Sequence, residues 1–168
     1  MENKNNPPVE FTIARVFAAP RALVYQALTE VDRLAQWWGP KGFTMVRATL
    51  DLRPGGRYHY LMRSPDGHEM WGRFSYVEVV PPSRLVFTNA FSDAAGNAVR
   101  APFSPTWPLE VLNVLTLEEQ DGKTTVTMRG APHQATAEEI RTFDGHRPSM
   151  QQGFGGTFDQ LDEYLKKS

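Results

Sequence analysis

The chain has 168 residues, 40% of them hydrophobic, enough for one domain with a substantial core. Its 18 basic and 19 acidic residues leave a net charge of −1, which argues against an extended nucleic-acid surface or a polybasic membrane anchor. There is no cysteine, which excludes disulfides, thiolate nucleophiles and thiolate metal sites.

The opening "MENKNNPPVE" is polar and lacks the apolar stretch of a signal peptide, and no segment is long and apolar enough to span a bilayer. A cytoplasmic location is expected, with residues 1–8 as a flexible tail and residues 9–168 as a single domain. "EFTIARVFAAP" alternates Phe11 and Ile13 with polar neighbours and ends at Pro20, the pattern of a first strand. Leu23, Val24, Ala27 and Leu28 then take helical spacing behind Pro20. Val31, Leu34 and Trp38 continue in a second short helix that Gly39-Pro40 stops. Adjacent Trp37 and Trp38 cannot both face inward, so one is expected in the core and the other at a cavity mouth or the surface.

Six strand-like runs follow, roughly Phe43–Leu52, Arg57–Arg63, Glu69–Val80, Leu85–Phe91, Leu109–Glu118 and Thr124–Arg129, separated by "RPGG", "SPDG", "VPPS", "DAAGN" and "EQDGK". Short links between neighbours favour an antiparallel meander. Tyr58, Tyr60 and Met62 share one face of their strand, with Arg57, His59 and Arg63 on the other. In Glu69–Val80, Met70, Phe74 and Tyr76 take one phase and Val77 and Val79 the other, which a bulge near Tyr76 would reconcile. Val111, Asn113, Leu115 and Leu117 share a face. The lone amide of Asn113 there must find a backbone partner or serve a ligand.

"ATAEEIRTF" opens the last region with Thr136 and Glu139 spaced as a capping box. Pro148 either kinks this helix or starts a new one. Met150, Phe154, Phe158, Leu161 and Leu165 then recur at spacings of four, four, three and four, the apolar face of a long helix. Gly153, Gly155 and Gly156 interrupt it, at about 1 kcal/mol each relative to Ala. Two readings account for them: close packing of helix on sheet, or a helix that borders a ligand cavity.

Candidate chemistry is thin. His59, His68, His133 and His146 lack metal-ligand spacing, and no serine has a nucleophile-elbow context. Neither "GFGG" nor "RPGG" is a phosphate loop. No catalytic residue, metal or cofactor is therefore assigned.

The stretches "VFAAPRALVYQALTEVDRLAQWWGPKGF", "DLRPGGRYHYLMRSPDGHEMWGRFSYVEVVPPSRLVFT", "LEEQDGKTTVTM" and "MQQGFGGTFDQLDEYL" together resemble the START-like SRPBCC superfamily. The branch is similar to the C-terminal domain of the activator of the heat-shock chaperone ATPase. The resemblance implies an α+β helix-grip fold, a curved antiparallel sheet wrapped around the long C-terminal helix with a cavity between them. Phe154 departs from it, since the family often carries Trp after the helix glycine. The candidate lining of such a cavity is Trp38, Phe43, Tyr58, Tyr60, Met62 and Phe74 from the first half of the chain. Phe87, Trp107, Asn113, Met150, Gly153 and Phe154 complete it from the second. Binding of a small apolar or amphipathic molecule is the first functional expectation. A cyclase- or hydrolase-like enzyme on a polyketide-like or aromatic substrate is the second, and a co-chaperone-like interaction domain the third. Homodimerisation through an exposed sheet face and a chaperone partner stay open, whereas nucleic-acid and membrane partners are not expected.

Overall fold

The computed structural model describes residues 9–167; the expected tail over residues 1–8 lies outside them. Strand β1 (Phe11–Phe17) leads into two short helices, α1 (Arg21–Thr29) and α2 (Val31–Trp37). Seven strands follow: β2 (Thr44–Leu50), β3 (Arg57–Arg63), β4 (Glu69–Val80), β5 (Arg84–Ser92), β6 (Ala98–Val99), β7 (Glu110–Gln120) and β8 (Lys123–His133). Helices α3 (Ala137–Gly145) and α4 (Arg147–Lys166) end the chain. β6 is one strand more than the sequence reading gives, because two residues are too few to show a period. Pro148 starts a helix rather than kinking one: it lies in the first turn of α4, where its missing N–H is not needed.

The sheet order is β1-β8-β7-β5-β4-β3-β2, with β6 paired to β5. All of the pairings are antiparallel, so β2, β3, β4, β5, β7 and β8 run as the expected meander and β1 closes beside the last strand. The bulge expected near Tyr76 is present, as a register shift between Tyr76 and Glu78. It turns Tyr76 inward and leaves Val77 at 56% exposure. A second shift, between Met45 and Arg47 in β2, has no counterpart in the sequence reading.

The inward faces of β3 (Tyr58, Tyr60, Met62) and β7 (Val111, Asn113, Leu115, Leu117) are buried as the period of two requires. Trp37 is a core residue and donates its indole N–H to the Ala27 carbonyl at 2.8 Å, while Trp38 is half-buried. The capping box of α3 is closed in both directions. Thr136 Oγ1 accepts from the Glu139 N–H at 3.1 Å, and Glu139 Oε1 accepts from the Thr136 N–H at 2.9 Å. The Glu139 carboxylate also pairs with Arg100.

Helix α4 does not press evenly on the sheet. Its main packing partners are β1, α1, α2 and α3. Phe158 and Leu161 sit in the core, and Phe158 meets Phe17 edge to face at 5.9 Å. The first turns of α4 stand off from the central strands, and that gap positions the site. The fold is a helix-grip arrangement of one antiparallel sheet with a long C-terminal helix.

Candidate functional site

Under the first half of α4 lies an open pocket of about 240 Å³. Met150, Gly153, Phe154 and Thr157 of α4 form one side. Trp38, Gly39 and Pro40 form the second, and Tyr60, Met62, Met70, Asn89 and Phe91 of the sheet form the floor. None of these side chains carries a charge. A narrower extension of about 60 Å³ continues past Met70, Asn89 and Phe91 to Trp107 and Leu109. Beneath the pocket, Trp38 and Phe154 also wall a tight apolar cleft of about 20 Å³ against Phe74, Phe87 and Phe158. Phe74 and Phe87 stack there at 4.4 Å.

Local sequence sets these walls. Gly39 has φ +115°, which L side chains rarely adopt, and a Cβ there would sit 2.6 Å from Met62 Sδ. Glycine thus lets the chain leave α2 and pass over Met62. The Gly39 carbonyl is held by Thr157 Oγ1 at 3.2 Å and by Gln160 Nε2 at 2.6 Å, and Gln160 also reaches the Trp37 carbonyl at 3.1 Å. These bonds fix the Trp38 wall to α4. On the floor, a Cβ at Gly72 would meet the Tyr60 ring at 2.5 Å, so only glycine lets that ring lie across β4. At Gly153 the situation is the reverse: a Cβ would meet nothing within 4 Å. The close-packing reading of Gly153 and Gly155 is therefore corrected, since both face open space.

Electrostatically the site is neutral. Burial pushes the Tyr60 hydroxyl up to about 12, partly offset by the nearby Trp38 indole N–H. That N–H is buried and closes no hydrogen bond among the described residues. It faces Tyr60 without bonding geometry. Deeper in the fold, burial raises the hydroxyls of Tyr58 and Tyr76 well above the ordinary tyrosine range and shifts that of Tyr25 in the same direction, and all stay protonated. Among the described residues no cluster of His, Asp and Glu could hold a metal ion.

Of the side chains expected around a cavity, Trp38, Tyr60, Met62, Met150, Gly153 and Phe154 come together in the pocket. Phe74 and Phe87 lie in the cleft below, and Trp107 in the side extension. Three do not line it. Phe43 packs at the edge of the core. Tyr58 is fully buried, with its ring against Tyr60 and Phe74 at 4.8 and 5.2 Å. Asn113 is buried behind Asn89, to whose Oδ1 it donates at 2.7 Å. Conversely, Asn89 is not among the expected residues. The alternation Leu85, Phe87, Asn89, Phe91 in β5 carries the same signal as Asn113 in β7, an inward amide between apolar neighbours.

Residues 18–166 match the family model for Activator of Hsp90 ATPase homolog 1-like protein. The chain belongs to this family. It falls within the SRPBCC superfamily. No protein with a curated description matches it. Among solved structures, a Mycobacterium smegmatis protein is similar at 30% identity and TM-score 0.75, over 94% of this chain and 90% of that one. A Nitrosomonas europaea protein is similar at 26% identity and TM-score 0.74, over 95% of each chain. The AHSA1 protein of Silicibacter pomeroyi shares the fold, with 18% identity and TM-score 0.70 over 94% of this chain and 97% of that one. Among the described residues no helix is long and apolar enough to cross a membrane.

Proposed function

We propose that this AHSA1-like chain binds a small apolar or amphipathic molecule in the pocket between α4 and strands β3 to β5. The observation that carries the reading is Gly153. Glycine, costing a helix about 1 kcal/mol relative to Ala, stands where a Cβ would meet nothing within 4 Å and the position lines the pocket. Aromatic rings and three methionines around it supply adaptable apolar walls. Binding pockets for drug-sized ligands run from about 300 Å³ upward, so a volume of about 240 Å³ suits a compact ring compound better than a long lipid. As for catalysis, Tyr60 stays protonated at neutral pH and has no charged partner in the lining, which supports holding a ligand rather than turning it over.

The test is Gly153→Leu, followed by thermal melting and by titration with the uncharged fluorescent naphthyl ketone Prodan. The new side chain occupies the pocket, so Prodan affinity falls by about tenfold or more, equivalent to about 1.4 kcal/mol, while the melting temperature is held or raised. An unchanged affinity in a folded variant rules out this pocket as the binding site.

A further inference from the structure

The pocket floor holds one amide whose orientation is dictated by a second, buried amide. Asn113 is 3% exposed and donates from Nδ2 both to the Val111 carbonyl at 3.2 Å and to Asn89 at 2.7 Å. Amide oxygen and nitrogen are told apart by their partners. The Val111 carbonyl can only accept, so the Asn113 atom on it is Nδ2. The Asn89 atom facing that same Nδ2 must accept as well, and is Oδ1. Asn89 Nδ2 is thereby turned away from Asn113 and, among the described residues, has no hydrogen-bond partner. Asn89 lines both the pocket and its extension, where the two volumes join. Gly130 makes the lock possible: a Cβ there would press on Asn113 Oδ1 at 3.1 Å.

We propose that Asn89 Nδ2 is the specificity contact of the pocket, donating to a carbonyl oxygen of an uncharged ring ketone or lactone, with Asn113 as the positioning residue that keeps the donor side outward. This rests on the binding reading above. The one other polar side chain at the floor points the same way: Tyr60 carries a hydroxyl that stays protonated and can donate. A ligand acceptor would satisfy these donors, whereas an ionised carboxylate would lose its hydration without gaining a counter-charge, since no lining residue is cationic. Lys41, which follows Pro40 in the chain, is paired with Asp159 at 3.5 Å.

The experiment uses 2-acetylnaphthalene labelled with carbon-13 at the carbonyl, with 2-ethylnaphthalene and 2-naphthoate as matched probes that lack the neutral acceptor. On binding to the wild-type chain, the carbonyl resonance is expected downfield of its position in hexane, the signature of an accepted hydrogen bond. Asn89→Leu returns it toward the hexane value and weakens the ketone by about tenfold, leaving 2-ethylnaphthalene within about twofold. Asn113→Ala frees Asn89 to turn over, so it lowers the ketone-to-ethyl affinity ratio, a readout that a general loss of stability would not move. Naphthoate binds more weakly than the ketone. A hexane-like carbonyl resonance in bound wild type overturns the donor assignment, and needs no variant to fold. A downfield resonance that persists in Asn89→Leu overturns the choice of Asn89, and tighter binding of naphthoate overturns the ligand class. If no naphthalene binds at all, the pocket reading itself fails, which is a different result from any of these.

Discussion

The two halves of α4 share one apolar stripe and end in opposite environments. From Thr157 onward, Phe158, Leu161 and Leu165 are 2%, 0% and 7% exposed and locked against β1, α1 and α2. Before it, Met150 and Phe154 are only half-buried, and Gly153 and Gly155 face open space. Phe154 stacks on Phe11 at 5.9 Å. The helix is anchored by its second half, so its first half can carry glycines and stand off from the central strands of the sheet. A pocket in a small domain needs such a division, because a side chain that lines a void contributes less to stability than one that fills a core.

The largest effect should come from the anchored half. Phe158→Ala is expected to cost about 3–5 kcal/mol in urea unfolding, in line with large-to-small changes in cores. Prodan affinity per folded molecule should stay within about twofold. If affinity falls in step with stability, the two halves are not separable. A smaller effect of opposite sign tests the open half. Gly155→Ala should raise stability by about 1 kcal/mol through helix propensity alone, because the added methyl meets nothing within 4 Å. A loss measured in the same unfolding experiment would mean that the first half is packed after all.

The smallest effect concerns the tether at the boundary. Asp159 bonds Arg15 at 2.7 Å, and Arg15 also donates to the Gly155 carbonyl at 3.2 Å. The bond from Arg15, then its charge and that of Lys41, hold the Asp159 carboxyl below the ordinary carboxylate range. A carboxylate with a lowered folded-state value contributes stability that is fully present above the ordinary range and is lost as the pH falls through the lowered value. The melting temperature of wild type should therefore drop slightly more on acidification below the ordinary carboxylate range than that of Asp159→Asn. Asp159 is about half exposed, so the difference is small. Identical profiles would show that the tether contributes nothing.

Much of the fold is legible in the sequence. The period of two puts Tyr58, Tyr60 and Met62, and Val111 through Leu117, on inward faces, and they are inward. The conflict of phases in Glu69–Val80 demands a bulge, and the register shifts there. Periodicity gives the face of a strand but not the depth along it, and that is where the site reading departs. Tyr58 and Tyr60 share a face, yet Tyr58 lies wholly in the core and Tyr60 reaches the pocket. Glycine is ambiguous for a related reason. Close approach and an opening both call for a missing side chain, and only the surroundings tell Gly72, pressed by Tyr60, from Gly153. Asn89 is legible in principle, because its alternation in β5 matches that of Asn113 in β7. Its pairing with Asn113 depends on the strand register, which sets Asn113 opposite Phe87 and Leu112 opposite Thr88.

The most direct test of the divided helix is methyl NMR of methionine-labelled protein during titration with 2-acetylnaphthalene. Met62, Met70 and Met150 line the pocket, and Met128 lies below it in the cleft beside Phe158. The account predicts that the methyls of Met62, Met70 and Met150 shift first and furthest while that of Met128 moves little. Saturable binding with the largest shift at Met128, or with no shift at Met150, would contradict it.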